Sequence, residues 1–484
     1  MSAKVIIIGI DSMDSILLNK FIEELPNFKQ LKHECPNLYL KSVFPPDSDT
    51  AWASIYTGLN PAKHGVVNFV DPLQKSIHLQ TKEGEADLIR GNTLWDILTK
   101  HGYKSCIILP HIAYPPWDIN GIMISRSRIK DDVISIPEMP NSYNLNELNA
   151  LKGVPKKDKN SLSRFIRSYK NLVNNETDLF IKMLRSSEWD IFFCYSSALD
   201  AIQHYFWDLC EDDKMQPNPF SNTIKEFYML YDSMVGKLIS SINDNTTVII
   251  LSDHGHTGRP KKNININRIL KDNNFIKQKT ETSTGKIYRG VATIITEIIC
   301  RYNLGWLVSK FFKIAPNANK LYPKSPIDES SSLAYTTDLS GIKSYTYGGI
   351  IINRNMVRST DDVQNVRTAI INMLKKELKD KIDWITEREK MYTGKYINKY
   401  PDILLQLQQG YGIGNKIDVP VISDAGISDI VPGSHRGDTP ILFIHNSKKK
   451  ISRKDIELVD IAPTVLDLFN IDWTQYGFDG SSIF

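Results

Sequence analysis

Six side chains in this sequence could bind a metal ion through a carboxylate oxygen or an imidazole nitrogen. Asp200 and His204 stand four residues apart, so a helix would present both on one face. Asp253 and His254 are adjacent and directly follow an apolar run. Imidazole mixed with carboxylate suits zinc or a related divalent cation better than calcium or magnesium. The six candidates are Asp11, Asp200, His204, Asp253, His254 and His435.

Residues 44–58 could supply a nucleophile. Two prolines lead into a hydroxyl-rich turn, and residues 51–56 are predicted to be helical, with Ser48, Asp49 or Thr50 at or near the N-cap. Backbone N–H groups and the positive end of a helix dipole favour an oxyanion such as phosphate there. A hydroxyl at that point can attack phosphorus if a cation lowers its pKa.

Each feature also has a simpler interpretation. The Ser48 turn could be an N-cap and nothing more, and Asp11 could cap a helix that begins near Met13. Asp200 and His204 could be an ordinary carboxylate–imidazole pair without a metal ion. Taken together, however, six ligands and one hydroxyl suffice for two cations, which can clamp the attacking and leaving oxygens of a displacement at phosphorus.

The elements that must position these residues alternate along the chain. Apolar, largely β-branched runs predict strands at 5–10, 38–43, 104–109, 190–195, 247–251, 344–352, 402–407 and 441–444. Helical spacing predicts helices at 93–101, 160–187, 200–207, 223–242, 263–274, 360–378 and 458–469. This alternation indicates an α/β fold, a three-layer α/β/α sandwich, whose sites lie beyond the carboxyl ends of strands. Five of the six ligands follow a predicted strand or begin the next helix, and His435 lies in a predicted turn.

Two segments interrupt the pattern. Residues 115–155 are rich in proline, asparagine and acidic residues and are predicted to be a surface excursion near the site with little regular structure. Residues 276–330 combine polar stretches with an apolar piece at 306–312 and are predicted to be an inserted cap or lid. The catalytic core would then comprise residues 1–275 and 331–484.

Composition narrows the function classes. The chain has 484 residues, 41% hydrophobic and 24% charged, which is typical of a soluble globular protein. A net charge of +4 is too small to indicate a nucleic-acid polymer or an anionic membrane as partner. The five cysteines form no CxxC pair and suggest reduced thiols. The apolar start is too short for a signal sequence, and no run reaches about 18 apolar residues, so we expect no transmembrane segment and a cytoplasmic protein.

Several motifs, in order along nearly the whole chain, together resemble the alkaline phosphatase superfamily in its type I phosphodiesterase/nucleotide pyrophosphatase branch. The matching pieces are Ile8-Gly-Ile-Asp-Ser-Met, Phe44-Pro-Pro, Thr57-Gly-Leu-Asn-Pro-Ala-Lys-His-Gly65, Asp200-Ala-Ile-Gln-His204, Ser252-Asp-His-Gly255, Gly433-Ser-His435 and Asp460-Ile-Ala-Pro-Thr. The resemblance implies an alkaline-phosphatase-like core with inserted cap or lid segments.

The resemblance also implies roles for the candidate residues. Counting back from Thr57-Gly58 puts Ser48 at the family's nucleophile position, where many members carry threonine. Asp49 and Thr50 depart from the family, in which an apolar residue and proline are common there. One metal ion would be held by Asp11, Ser48, Asp253 and His254, and the other by Asp200, His204 and His435. Candidate substrate contacts are Thr50, Arg259 and Arg436, of which Arg436 is favoured because it adjoins His435.

These roles predict a metal-dependent phosphohydrolase, best matched by a phosphodiesterase acting through a Ser48 alkoxide and a phosphoserine intermediate. Two divalent ions are expected, zinc first, with manganese or iron as alternatives. The predicted partner is a small-molecule phosphate ester, and nothing in the sequence sets the oligomeric state. A phosphomonoesterase or a phospho-group transferase of the same superfamily stays open. A sulfatase is disfavoured because no x-Pro-x-Arg pattern follows Ser48, and a non-enzymatic binding module would require missing ligands.

Overall fold

The computed structural model describes residues 4–67, 84–151, 153, 155–210, 218–279, 326–336, 345–425 and 431–484. Its strands, in chain order, are β1 (Lys4–Ile10), β2 (Tyr39–Lys41), β3 (Ser105–Ile108), β4 (Gly121–Arg126), β5 (Val133–Ile136), β6 (Ile191–Ser196), β7 (Thr246–Leu251), β8 (Gly255–Gly258), β9 (Lys262–Asn265), β10 (Ala334–Thr336), β11 (Tyr347–Ile352), β12 (Ile382–Glu387), β13 (Ile403–Leu407), β14 (Tyr411–Gly414), β15 (Ile422–Asp424), β16 (Gly433–Arg436), β17 (Leu442–His445) and β18 (Asp455–Glu457).

The helices separate these strands. They are α1 (Ser15–Lys20), α2 (Pro26–Glu34), α3 (Ser48–Thr57), α4 (Pro61–His64), α5 (Ala86–Ile89), α6 (Leu94–Lys100), α7 (Lys159–Ser186), α8 (Ala198–Phe206), α9 (Thr223–Ile239), α10 (Ile266–Asp272), α11 (Thr360–Leu378), α12 (Arg388–Met391) and α13 (Ile461–Leu468). Shorter 3-10 turns lie at Ile22–Glu24, Asn141–Tyr143, Leu145–Leu148, Trp207–Leu209, Lys379–Lys381, Ile397–Lys399, Leu458–Asp460 and Trp473–Tyr476.

The main sheet runs in the order β17-β7-β1-β6-β3-β4-β5. The strands from β7 to β4 are parallel, and the two edge strands, β17 and β5, are antiparallel. Because β7, β1 and β6 are neighbours and point the same way, the residues that follow their carboxyl ends meet at one edge.

Helices cover both faces of this sheet. Along β1, Val5 and Ile7 face one apolar cluster, which includes side chains of α3, α6 and α13. Ile6 and Ile8 face a second cluster, which includes side chains of α2, α7 and α9. Alternate side chains of a strand point to opposite faces, so burial on both sides explains its continuous apolar run. The predicted three-layer α/β/α fold is confirmed.

A second, antiparallel sheet has its own core. Its strand order is β10-β11-β13-β12, and apolar side chains of α11 pack in the same cluster as those of β11 and β13. Phe44, which leads into the turn before Ser48, packs edge-on against Tyr347 of β11 at a ring distance of 5.6 Å. The second sheet therefore packs against the segment that leads to Ser48.

The structure corrects several predictions from sequence. Residues 115–155, predicted to have little regular structure, contribute two strands, because β4 belongs to the main sheet and β5 forms its edge. The predicted strand at 38–43 is only β2, and it pairs with β18 outside the main sheet. The predicted helix at 263–274 is divided into β9 and α10. In each case a segment pairs with distant residues, which local patterns do not reveal.

Most of the predicted insertion, residues 280–325, lies outside the described residues, as does its apolar piece at 306–312. Its two described ends meet, because Gln278 and Ile327 form an antiparallel bridge and the N–H of Asp328 donates to the carbonyl of Lys277. The segment thus leaves and rejoins the fold at one place. Whether it acts as a cap or lid stays a prediction.

Candidate metal centre

Neighbouring strand ends bring the predicted ligands together. Asp11 follows β1, Asp253 and His254 follow β7, and α8, which begins just after β6, carries Asp200 and His204. The alternative role for Asp11 as a helix cap is excluded, because Asp14 accepts the N–H groups of Ile16 and Leu17 at the start of α1.

His435 arrives from another direction. It lies on β16, which pairs with β8 so that His435 stands opposite His256. The prediction of a turn at Gly433–Asp438 was therefore wrong for the ligand itself. Its partner strand β8 begins directly after His254, and this pairing brings His435 to the strand ends.

The six side chains form two groups of three in which the potential ligand atoms lie within 4.8 Å of one another. In the first group, His204 Nε2 and His435 Nε2 are 2.9 Å apart and lie 3.4 Å and 3.5 Å from Asp200 Oδ1. In the second group, His254 Nε2 lies 3.2 Å from Asp253 Oδ2 and 3.7 Å from Asp11 Oδ1.

Backbone carbonyls fix the imidazoles so that Nε2 faces these groups. The Nδ1 atoms of His204, His254 and His435 lie 3.1, 3.0 and 3.0 Å from the carbonyl oxygens of Gly433, Gly255 and Pro46. A carbonyl only accepts, so each Nδ1 donates, and a neutral ring then presents a lone pair at Nε2. Burial lowers the pKa of His254 and of His435, which favours this neutral form.

Among the described residues, three of the carboxylate oxygens in these groups lack a hydrogen-bond donor. Asp11 Oδ1, Asp200 Oδ1 and Asp253 Oδ2 are buried and make no hydrogen bond. Burial, together with the charges of Asp253 and Asp200, raises the pKa of Asp11 well above its usual range. Buried anions and facing lone pairs are unfavourable without a cation, so the donor set fits a divalent metal ion in each group. The structure includes no ligands.

The raised pKa of Asp253 yields a prediction for the metal-free protein. Burial raises this pKa to about 7 from the usual 3.8. Between these two pKa values the folded chain holds a proton that the unfolded chain has released. The free energy of unfolding therefore falls as the pH rises, and the stabilisation by the bound proton is lost as the pH passes through 7. We expect Asp253→Asn to raise the free energy of unfolding more at pH 8.5 than at pH 5, by on the order of 2–3 kcal/mol.

Urea denaturation in the presence of a chelator measures this difference. Asp244→Asn, which removes an exposed carboxylate before β7, is the matched control and should shift stability equally at both pH values. An equal effect of Asp253→Asn at the two pH values would contradict the burial argument.

Ser48 is the first residue of α3, and its Oγ lies 3.1 Å from His254 Nε2, at the second group. The N-cap is Asp47, not Ser48, Asp49 or Thr50, and its side chain already accepts the N–H of Asp49. The N–H of Asp49, one of the backbone groups predicted to favour an oxyanion, therefore donates to a side chain of the protein. Helix α3 is held against β1 at Gly9, where a Cβ would lie 2.6 Å from Trp52.

Tyrosine hydroxyls hold the segment that precedes Ser48. Phe44 donates its N–H to Tyr392 Oη at 2.8 Å, and its carbonyl accepts from Tyr400 Oη at 2.6 Å. Two residues on, the carbonyl of Pro46 is the one that accepts from His435. The segment that leads to Ser48 is therefore directly connected to His435, a candidate ligand of the first group.

The three predicted substrate contacts lie in different surroundings. Thr50 is fully buried. Arg259 is only 5% exposed and donates to the carbonyls of Val431 and Gly433, the latter shared with His204. Arg436 is partly exposed, and its Nε and Nη2 lie 2.6 Å and 2.9 Å from the carboxylate of Asp438.

Two further side chains at this edge escaped the sequence reasoning. Tyr195, near the end of β6, donates from its hydroxyl to Asp11 Oδ2, and His111, three residues after β3, lies 3.1 Å from that hydroxyl. Both follow the positional rule that located Asp11, since each lies at or just beyond the carboxyl end of a parallel strand. Their residue types alone gave no reason to single them out.

The fold and the two candidate ligand groups fit a metal-dependent phosphohydrolase of the alkaline phosphatase superfamily. A family model described as type I phosphodiesterase/nucleotide pyrophosphatase matches residues 5–428. The chain belongs to this family, and it is a hydrolase that acts on phosphoric ester bonds. His435 lies beyond the matched residues, so its place in the centre rests on the geometry given above.

Solved structures share the fold at low sequence identity. Phosphonoacetate hydrolase from Sinorhizobium meliloti 1021, in complex with phosphonoformate, is 14% identical with a TM-score of 0.54. An inactive variant of murine ectonucleotide pyrophosphatase/phosphodiesterase 5, in complex with AMP, is 13% identical with a TM-score of 0.51, and the human protein is 13% identical with a TM-score of 0.50. Each comparison covers 97% of this chain and 95% of the other. A search of curated proteins gives no match.

None of the described helices is both long and apolar enough to cross a lipid bilayer.

Proposed function

We propose that the protein is a phosphodiesterase that uses Ser48 as its nucleophile beside two divalent cations. The observation that carries this proposal is the pair of facing Nε2 atoms, His204 and His435, 2.9 Å apart, because two neutral imidazoles in this tautomer repel unless a cation lies between them and Asp200. The second group, Asp11, Asp253 and His254, would hold the other cation with Ser48.

The chain's own residues account for the course of the reaction. When bound, the two cations would lower the pKa of the Ser48 hydroxyl and offset the negative charge of the phosphate. Ser48 Oγ forms a bond to phosphorus while the bond from phosphorus to the leaving alcohol breaks, and the serine proton ends on that alcohol. Water then cleaves the phosphoserine, which releases a phosphate monoester and restores Ser48.

Zinc is the proposed ion in both positions, with manganese or iron as alternatives. The ligand set is rich in imidazole, which these metals accept more readily than calcium or magnesium do. A phosphomonoesterase or a transferase of the same superfamily would use the same groups, so these stay alternatives.

Recognition of the substrate is proposed to fall to residues around this centre. The substrate would be a small phosphate ester rather than a nucleic-acid polymer. Arg436 is partly exposed beside His435 and is proposed to contact the phosphate, whereas Arg259 supports Gly433 from a buried position. Thr50 also stays a proposed substrate contact, although no contact of its side chain with the described residues supports that role. Residues 115–155 and 276–330 are proposed to select the leaving group.

We also propose that the protein works in the cytoplasm. Four of its cysteines, Cys35, Cys106, Cys194 and Cys210, are free thiols, as expected in a reducing compartment.

A side-by-side assay tests the proposed reaction. Purified protein supplied with zinc or manganese is given a chromogenic phosphate diester and the corresponding monoester. We expect faster turnover of the diester. Faster turnover of the monoester would favour a phosphomonoesterase, and hydrolysis of neither ester with either metal would contradict the proposal.

A further inference from the structure

We propose that Tyr195 and His111 are positioning residues for Asp11, joined in a hydrogen-bonded chain that begins at Asp49, next to the nucleophile. The inference rests on the proposed two-cation centre. His111 Nε2 lies 2.7 Å from Asp49 Oδ1, His111 Nδ1 lies 3.1 Å from Tyr195 Oη, and Tyr195 Oη contacts Asp11 Oδ2. The chain thus connects the first turn of α3 with the end of β1.

The number of protons in this chain sets its direction. An ionised Asp11 can only accept, so the single hydroxyl proton of Tyr195 points to Asp11 Oδ2. The oxygen of Tyr195 then accepts from His111 Nδ1. At the other end the carboxylate of Asp49 also only accepts, so His111 Nε2 donates as well. The ring of His111 therefore joins the hydroxyl of Tyr195 on one side to the carboxylate of Asp49 on the other.

This arrangement orients Asp11 as a ligand. Its Oδ2 is occupied by Tyr195, whereas Oδ1 makes no hydrogen bond and lies 3.7 Å from His254 Nε2. The hydrogen bond to Oδ2 fixes the rotation of this carboxylate, so that Oδ1 faces the other side chains of its group. Groups that orient a metal ligand in this way commonly strengthen metal binding by about 10–100-fold.

Other charged groups hold the far end of the chain. Arg128 Nη1 lies 2.6 Å from Asp49 Oδ1, and Arg128 Nη2 lies 3.3 Å from Glu85. These contacts stabilise the carboxylate at position 49, where the family commonly has an apolar residue. The departure of Asp49 from the family pattern is therefore explained by its partner His111.

The ring of Tyr195 also packs in the core, and the test must separate that packing from the hydroxyl. The ring lies edge-on to Trp52 at 5.0 Å and is 2% exposed. Tyr195→Phe keeps the ring and removes only the hydroxyl. Tyr56→Phe is the matched control, because Tyr56 is equally buried and its hydroxyl accepts the backbone N–H of His111 at 2.9 Å without contacting the proposed ligands.

Zinc affinity, measured by competition with a chromophoric chelator, gives a readout that does not depend on activity. In a His435→Ala background, which retains the Asp11 group, Tyr195→Phe is expected to weaken zinc binding by about 10–100-fold. In an Asp253→Ala background, which retains the Asp200 group, it should change little. His111→Phe should weaken zinc binding as much as Tyr195→Phe does. The double substitution should weaken zinc binding no more than either single substitution, because both interrupt one chain.

Three results would overturn the proposal: unchanged affinity in the His435→Ala background, equal loss in both backgrounds, or equal loss from Tyr56→Phe. Full additivity of His111→Phe and Tyr195→Phe would also count against a single chain. Absence of zinc binding in the wild type would overturn the proposed function together with this inference. Inactivity of a zinc-loaded wild type would refute the proposed function alone.

Discussion

Replacing Ser48 with alanine is expected to lower the rate of diester hydrolysis at least about 1,000-fold, because removal of a nucleophile commonly costs that much or more. Ser48 Oγ is 3.1 Å from His254 Nε2, and its residue begins α3 beside the second ligand group. Steady-state kinetics with a chromogenic diester, at matched zinc occupancy, measures the loss in kcat.

Ser48→Thr is the control for this prediction. It restores a hydroxyl on the same Cβ, and the family commonly carries threonine there, so it should recover a substantial part of the activity. Mass spectrometry of the wild type, quenched during turnover, should find a phosphate adduct on the peptide that contains Ser48. Retention of full activity by Ser48→Ala would refute the nucleophile assignment while leaving the metal centre intact.

Removal of the metal ions should have an effect of similar size. Without cations, the carboxylates of Asp11, Asp200 and Asp253 would have no positive charge beside them and would repel a phosphate anion at the proposed centre. Cation binding at such centres supplies several kcal/mol of charge stabilisation, and each 1.36 kcal/mol changes the rate about tenfold. We expect a chelator to lower turnover at least about 1,000-fold and zinc or manganese to restore it.

The same treatment should lower thermal stability. A ligand present at about 100 times its dissociation constant contributes about 2.7 kcal/mol to the free energy of unfolding.

His435→Ala should bind one ion fewer than the wild type and lose most of the activity. His445→Ala is the matched control, since His445 lies on β17 and pairs with Glu34. Metal-independent activity, or equal effects of the two histidine substitutions, would contradict the account.

Much of the fold was predictable because the central strands of the main sheet, β7, β1, β6 and β3, are buried on both faces. A run such as Val5 to Ile10 has few alternative structures, and parallel order places its carboxyl end at the site. Asp11, Asp253 and His254 were predicted from that rule. Asp200 and His204 needed one more step, the four-residue spacing of a helix.

The features that sequence reasoning missed depend on contacts between distant segments. His435 was predicted as a ligand, but β16, the strand that carries it, was not, because a four-residue strand leaves a weak local pattern and forms here by pairing with β8. Strand β4 was concealed in a segment rich in proline and asparagine. Asp47 is the N-cap of α3, and Phe44, three residues earlier, is held by Tyr392 and Tyr400, which lie far away in the chain.

The chain from Asp49 to Asp11 was also beyond local reasoning. Its four members lie on α3, the loop after β3, β6 and the end of β1, and only the sheet order brings these together. The sequence signalled Asp49 as a departure from the family but gave no partner for it. Only the structure shows that the carboxylate of Asp49 contacts His111.

The central claim is that two cations lie at the strand ends around the Ser48 hydroxyl. A crystal structure of the zinc-loaded protein, with anomalous differences recorded at the zinc edge, tests it most directly. We predict one peak among Asp200, His204 and His435, and a second among Asp11, Asp253 and His254 next to Ser48 Oγ. The absence of either peak, or zinc bound only elsewhere, would contradict the claim.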